Sequence, residues 1–195
     1  LFTLLLITTS TLSLNVSTSC MISLEDFKTI GEISTCEVDT IVEIDSRGTE
    51  ISFESYSNDD KVEALKFETH RMKFFPQGIN KTFTSLLAIY MNDGVLSEIH
   101  QADLQPFTQL RYLDLFENLL EVIEMDLFKY NKQLEVVWLS NNRIEHIAPT
   151  VFDHLNQLRH LYLMSNVSIQ QSETNRSHVL KLIANVKEKC ANDKK

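Results

Sequence analysis

Glycine and tryptophan are scarce in this chain, which has 4 glycines and 1 tryptophan among its 195 residues. Phosphate-binding loops need several closely spaced glycines, and neither a G-x-G-x-x-G motif nor a P-loop occurs. The 6 histidines form no H-E-x-x-H motif, no nucleophile elbow is present, and the cysteines and histidines lack zinc-site spacing. We therefore predict a protein without catalytic activity, cofactor or bound metal ion.

Basic residues are outnumbered by acidic ones, with 18 Lys and Arg against 27 Asp and Glu and a formal net charge of −9. Nucleic acids and anionic membrane surfaces carry negative charge themselves, so neither is an expected partner. A membrane-spanning helix needs about 20 mostly apolar residues. Beyond residues 1–14 no comparable apolar run exists, so we expect no membrane span in the mature chain.

Apolar residues recur every 24 residues through the middle of the chain, in the frame L-x-x-L-x-L-x-x-N-x-L. The frames starting at Leu110 and Leu134 are complete, and the earlier two carry His70 and Gly94 at the asparagine position. The last frame stops after Asn166. The five frames start at Val62, Leu86, Leu110, Leu134 and Leu158.

This frame is the leucine-rich repeat signature. The alternation L-x-L predicts a short strand with one buried face, and stacked copies pair these strands in parallel to share one core. We predict an α/β solenoid shaped like a horseshoe, with a parallel concave sheet. Asn118, Asn142 and Asn166 are interpreted as structural, because their amides can bond buried backbone groups of adjacent turns. Pro76 and Pro149 argue against long convex helices.

The flanking segments are interpreted as caps for the ends of the solenoid. Residues 20–61 are assigned to an N-terminal cap, residues 62–167 to the repeats, and residues 168–195 to a polar linker and a C-terminal cap helix. The cap should contain two extended stretches, around Ile41–Ile44 and Ile51–Phe53.

A helix is predicted over residues 177–190, with Ser177 as its N-cap. Its apolar stripe should cover the exposed last repeat, although a helix that binds a partner remains the alternative. The stripe consists of Val179, Leu182, Ile183 and Val186.

Residues 1–14 are apolar and resemble the hydrophobic region of a signal peptide. We assign residues 1–19 to a signal peptide whose start is missing, with cleavage between Ser13 and Ser19; a spanning helix is the alternative. The protein is then secreted and extracellular. Among the N-x-S/T sequons, Asn80 and Asn175 are the best candidates for glycosylation.

The 3 cysteines leave one without an obvious partner. Cys20 and Cys36 come just before the repeats and are expected to pair within the N-terminal cap. Five strands about 4.8 Å apart separate them from Cys190 by roughly 20 Å. A disulfide needs Cα atoms within about 7 Å. Cys190 is therefore either free or bonded to another chain, as in a disulfide-linked dimer or a hetero-complex.

Alternate strand positions should point away from the core onto the concave face. Exposed aromatic clusters mark interfaces, and Trp and Tyr often anchor binding partners. The alternative is that these residues are simply well tolerated on strand surfaces. Acidic neighbours would suit a partner with basic groups. The predicted partner-binding residues are Tyr90, Tyr112, Asp114, Phe116, Glu117, Trp138, His160 and Tyr162.

The cap segment from Cys36 to Val38, the element Phe74–Ile79 and the repeats resemble small secreted leucine-rich repeat proteins of insects. These include the mosquito leucine-rich immune proteins and the ectodomains of repeat receptors. The resemblance implies a non-enzymatic module that binds an extracellular protein, with a role in innate immunity. Ser168 departs from the family pattern, because it stands where a cysteine partner of Cys190 would be expected.

Two other functions remain open. The chain can be an ectodomain fragment of a cell-surface repeat receptor, or a structural protein that assembles extracellular complexes.

Overall fold

The computed structural model describes residues 15–27, 29–38, 40–53, 61–67 and 70–192, with residues 190–192 described by their backbone alone. The elements in chain order are β1 (Asn15–Thr18), β2 (Met21–Phe27), β3 (Gly31–Val38), β4 (Glu43–Ile44), β5 (Glu50–Phe53), β6 (Ala64–Phe67), β7 (Arg71–Met72), α1 (Ile79–Thr82), β8 (Ala88–Met91), α2 (Gln101–Leu104), β9 (Tyr112–Asp114), β10 (Val122–Ile123), β11 (Val136–Trp138), β12 (His146–Ile147), β13 (His160–Tyr162), β14 (Ser172–Glu173) and α3 (Arg176–Asn192).

One eight-stranded sheet forms the concave side, in the order β14-β13-β11-β9-β8-β6-β3-β2. Strands β6, β8, β9, β11 and β13 pair in parallel, and the residues paired with one another are 24 positions apart, as Leu113 and Val137 illustrate. The predicted repeat solenoid and its register are therefore confirmed. β3 joins this series in parallel with β6, so the parallel sheet begins one strand earlier than the repeat frame indicated.

The leucines of the frame form a single continuous core between the sheet and the convex side. Leu115, in a central repeat, has no exposed surface. On the convex side Phe128 and Phe152 stack with their ring centroids 5.9 Å apart. The helices α1 and α2 have 4 residues each, in agreement with the prediction that long convex helices are absent from the repeats. No helix in the described part of the chain is both long and apolar enough to cross a membrane.

The three frame asparagines form the predicted ladder. The amide nitrogen of Asn142 donates to the carbonyl of Leu115 at 2.9 Å, and its Oδ1 accepts from the backbone N–H of Leu120 at 3.0 Å. Asn118 and Asn166 make the equivalent pair of bonds one repeat earlier and one repeat later. Buried backbone groups that would otherwise lack partners are satisfied in this way. The structural interpretation of these residues is confirmed.

Where the frame carries Gly94, a histidine from the preceding turn makes the accepting bond of the ladder, while its Nε2 has no hydrogen-bond partner among the described residues. The His70 side chain is buried, and its Nδ1 accepts from the backbone N–H of Met72 at 3.3 Å. A Cβ atom at Gly94 would overlap the His70 ring. The imidazole therefore occupies the space that an asparagine at position 94 would fill. Burial lowers the pKa of His70, which keeps the ring neutral and Nδ1 able to accept.

The turn after each of four strands contains a residue in the left-handed conformation that is not glycine. Asp93, Glu117, Asn141 and Ser165 have φ between 53° and 57°, and they fall at the same place in successive frames. This conformation costs an ordinary L-residue about 1 kcal/mol or more, and asparagine and aspartate adopt it most readily. Glu117 and Ser165 are the less favourable members of the series.

The N-terminal cap contains the expected disulfide between Cys20 and Cys36, whose Cα atoms are 5.4 Å apart. The predicted extended stretches correspond to β4 and β5. β1 pairs in parallel with β5, although its residues fall within the segment assigned to the signal peptide. Residues 1–14 lie outside the described part of the chain. The cap also contains an antiparallel hairpin of β2 and β3 that the sequence analysis did not predict.

The predicted C-terminal helix is present as α3 and is slightly longer than expected. Its N-terminus is capped by Asn175, whose Oδ1 accepts from the backbone N–H of Ser177 at 2.9 Å; the assignment of the cap to Ser177 was wrong. The apolar stripe of α3 is buried against the end of the repeats, as predicted for a terminal cap. The side chain of Cys190 lies outside the described part of the chain.

Candidate functional site

The β2–β3 hairpin forms the N-terminal edge of the concave sheet, and its tip packs over the concave face of β6 and β8. Phe27 and Ile33 pack against Ala64 and Ala88, which point out of the sheet but are fully buried beneath the hairpin. Small side chains at these two positions let the hairpin approach the strands closely. The face that the repeat frame predicted to be open is therefore divided into a covered half and an open half.

Tyr90 and Tyr112 lie at the boundary between the two halves. Their rings stack with centroids 4.8 Å apart, and Phe27 approaches them with its ring centroid at 5.2 Å and 5.9 Å respectively. Burial raises the pKa of Tyr112 to about 12 and raises that of Tyr90 further. Both phenols therefore stay protonated at neutral pH. These residues are half-buried, which is less exposed than the sequence analysis expected.

A second aromatic group lies on the open half of the face. Trp138 and Tyr162 stack with centroids 4.3 Å apart, and Phe116 packs edge-on to Trp138 at 5.8 Å. His160 is nearly parallel to Tyr162. All four side chains are partly exposed. Trp138 and Tyr162 are paired residues of the adjacent strands β11 and β13, so the parallel register of these two strands places their rings side by side.

A pocket of about 420 Å³ lies between the hairpin tip and these two aromatic groups. The hairpin contributes one wall, and the outward side chains of β8, β9, β11 and β13 contribute the rest. Its lining residues are Asp26, Phe27, Thr29, Tyr90, Tyr112, Val136, Trp138, His160 and Tyr162. Five of the eight predicted partner-binding residues are thus brought together here, and Asp114, Phe116 and Glu117 are not in the lining.

Asp114 is the predicted site residue whose position differs most from expectation. It lies between Tyr90 and Trp138 in the sheet register, but it is only 5% exposed. Its Oδ1 accepts from the backbone N–H of Phe116 at 2.9 Å. Burial raises the pKa of Asp114 to about 6, and the negative charge of Asp93 adds to the increase. The acid is therefore part of the floor of the face rather than of an exposed edge.

Two polar atoms of the pocket are buried and have no hydrogen-bond partner among the described residues: the hydroxyl of Thr29 and Nδ1 of His160. Burial, together with the positive charge of Arg159, lowers the pKa of His160, so its ring is neutral at neutral pH. A buried polar group without a partner is costly, and such groups are commonly satisfied by water or by a ligand. Although Thr29 and His160 line the pocket, these two atoms have almost no accessible surface, so a group bound in the pocket would not reach them without a rearrangement of the lining.

The remaining predicted residues are placed as follows. Glu117 is exposed on the rim of the sheet, in the left-handed turn described above. Asn80 and Asn175 are exposed, so a glycan would have access to both. Asn166 is buried within the ladder, and its amide nitrogen is engaged with backbone carbonyls. The described side chains include no group of three or more His, Cys, Asp or Glu that could hold a metal ion.

Comparison with known proteins agrees with the repeat architecture. A leucine-rich repeat family model matches residues 108–167. No curated protein sequence matches the chain significantly. Among similar solved structures is the Drosophila Toll–Spätzle complex, with 22% sequence identity and a TM-score of 0.49. The match covers 68% of this chain but 17% of the other, so this chain spans about a sixth of that length. The family match and the sheet register together identify the fold as a leucine-rich repeat solenoid.

Proposed function

We propose that this protein is a secreted, non-enzymatic recognition module that binds an extracellular protein through the open half of its concave face. The observation that carries the proposal is the partly exposed aromatic group of Phe116, Trp138 and Tyr162 beside a pocket. Large aromatic side chains left accessible on a rigid surface are typical of binding interfaces. The parallel sheet beneath them holds the rings in place before a partner arrives, which lowers the entropic cost of binding.

The extracellular location is supported by two features of the chain. The disulfide between Cys20 and Cys36 is of a kind that persists in oxidising compartments. The apolar residues 1–14 resemble the hydrophobic region of a signal peptide. A role in innate immunity is the biological setting that we propose for this binding activity, on the basis of the sequence resemblance to secreted insect repeat proteins.

The first experiment is affinity capture from extracellular fluid of the source, with immobilised wild-type protein and variants analysed side by side. Trp138→Ala and Tyr162→Ala should each lose most of the captured partner, because truncation of a binding anchor often costs about 2 kcal/mol or more. Tyr130→Ala is a matched control, since Tyr130 is an exposed aromatic residue outside the concave sheet. It should capture as much partner as the wild type.

Thermal melts of the same variants separate binding from folding. Trp138→Ala and Tyr162→Ala remove half-buried rings from the surface of the sheet, so both should remain folded with a modest decrease in Tm. Unchanged capture by both variants would refute binding at this face. A partner lost equally by Tyr130→Ala would mean that the convex side carries the interaction.

A further inference from the structure

Resting on the proposed function, we propose that the concave pocket is an aromatic cage that receives one cationic side chain of the partner, an arginine or a lysine. The pocket brings together two pairs of stacked rings and the acidic side chain of Asp26.

The rings supply the faces that a cation prefers. Tyr90 and Tyr112 stand on one side of the pocket, and Trp138 and Tyr162 stand on the other. A guanidinium or ammonium group is attracted to the electron-rich faces of such rings, most strongly to tryptophan. In the row that contains Tyr90 and Trp138, the intervening residue is Asp114, whose short side chain leaves room between the two aromatic stacks.

The charges around the pocket favour a positive group. Asp26 lines the pocket at the hairpin tip, and Asp114 lies beneath the face with one described hydrogen bond, to a backbone N–H. Two basic residues near the pocket already have acidic partners: Arg111 lies 2.6 Å from Glu135, and Lys66 lies 3.4 Å from Glu37. The positive charge of Arg159 acts on His160, so the cation is expected at the end of the pocket beside Asp26. A bound cation would supply the positive charge that the buried Asp114 carboxylate otherwise lacks.

The site can be tested directly because Trp138 is the single tryptophan of the chain. Intrinsic fluorescence therefore reports on this pocket without labelling. The probe is the blocked tripeptide acetyl-Gly-Arg-Gly-amide, with the citrulline tripeptide as an uncharged control of nearly the same shape. Titration of the arginine tripeptide should change the fluorescence saturably, and the citrulline tripeptide should bind at least threefold more weakly. The lysine tripeptide and ethylguanidinium then show whether the charged group alone is sufficient.

Variants locate the binding. Asp26→Asn should weaken the arginine tripeptide severalfold without altering the circular dichroism spectrum, because Asp26 is exposed at the hairpin tip. Asp126→Asn, an exposed acid outside the concave sheet, should leave the affinity unchanged. Equal affinity for the arginine and citrulline tripeptides, or no saturable response from the folded wild type, would overturn the cage. If the cage fails while Trp138→Ala still loses the captured partner, the proposed function stands without it.

Discussion

Replacing Asp114 with asparagine should stabilise this protein at neutral pH. The carboxylate is buried in the sheet surface, and Asp93 is the charged group that adds to the cost of ionising it. Asparagine has nearly the same shape and keeps an Oδ1 that can accept from the Phe116 N–H. The substitution therefore removes the charge while retaining the hydrogen bond that the structure shows.

The size of the effect follows from the pKa. Folding raises the pKa of Asp114 from 3.8 to about 6. Each pKa unit corresponds to about 1.4 kcal/mol, so ionisation costs the folded state up to about 3 kcal/mol. Below pH 3.8 the group is protonated in both states and costs nothing. Between that pH and about 6 the unfolded state loses its proton first, so stability falls as pH rises, and above this window the full cost is present.

Urea unfolding of the wild type and Asp114→Asn from about pH 3.5 to about pH 8 measures this cost. The free energies of unfolding should nearly coincide at the acidic end, and the variant should be more stable by up to about 3 kcal/mol at about pH 7.5. The lowered pKa of His70 makes both proteins lose stability as pH falls below about 6.5, so it cancels in the difference. Asp126→Asn serves as the exposed control. A difference that does not change with pH, or equal stability at the alkaline end, would refute the reasoning.

Three further predictions concern the core, the ladder and Cys190. Leu115→Ala should lower the free energy of unfolding by about 2–5 kcal/mol, and an unchanged Tm would contradict its complete burial. Gly94→Asn and His70→Ala should each lower the free energy of unfolding. In the double variant the introduced amide side chain can occupy the space vacated by the imidazole, so urea unfolding should show a loss much smaller than the sum of the two single losses. Strictly additive losses would mean that the two positions are independent. On a non-reducing gel the protein, expressed through an oxidising compartment, should show a disulfide-linked species that Cys190→Ser abolishes, and a purely monomeric wild type with one titratable thiol would rule this out.

The repeat register was predictable from the sequence because it depends on a strict physical constraint. Every leucine of the frame must face one core, and every frame asparagine must meet backbone groups of the neighbouring turn. A shift of one residue would turn the apolar positions of a strand towards water. Leu115 therefore had to face the core and Asn142 had to bond the backbone of the neighbouring turn, and both do so in the structure.

The exposure of the concave face was not predictable in the same way. The repeat frame determines which side chains point outward, but it contains no information about what else packs on that side. The signal that could have indicated a cover is the pair Ala64 and Ala88, since two small apolar residues in adjacent strands allow a close approach. The apolar residues Phe27 and Ile33 on either side of Gly31 are the corresponding signal in the hairpin.

Aromatic neighbours explain why the exposure of Asp114 differs from expectation. An aspartate at an outward strand position normally reaches water, and nothing in its own frame predicts otherwise. Its burial depends on the large neighbours Tyr90, Tyr112 and Trp138, which come from other repeats or flank it within its own strand. To predict the burial of Asp114, the side-chain volumes at equivalent positions of neighbouring repeats would have had to be compared.

The change of strand direction at both ends of the concave sheet determines where this solenoid can change length. β2 and β14 run antiparallel to their neighbours, and α3 packs against β13 and β14. A duplicated 24-residue unit inserted among the central strands would find a parallel neighbour on each side, whereas the same unit placed after β13 would displace β14 and the helix. Length variants are therefore expected to arise by internal duplication. Each duplication between β9 and β11 would move the hairpin tip about 4.8 Å farther from Trp138, so the number of repeats would also set the width of the pocket.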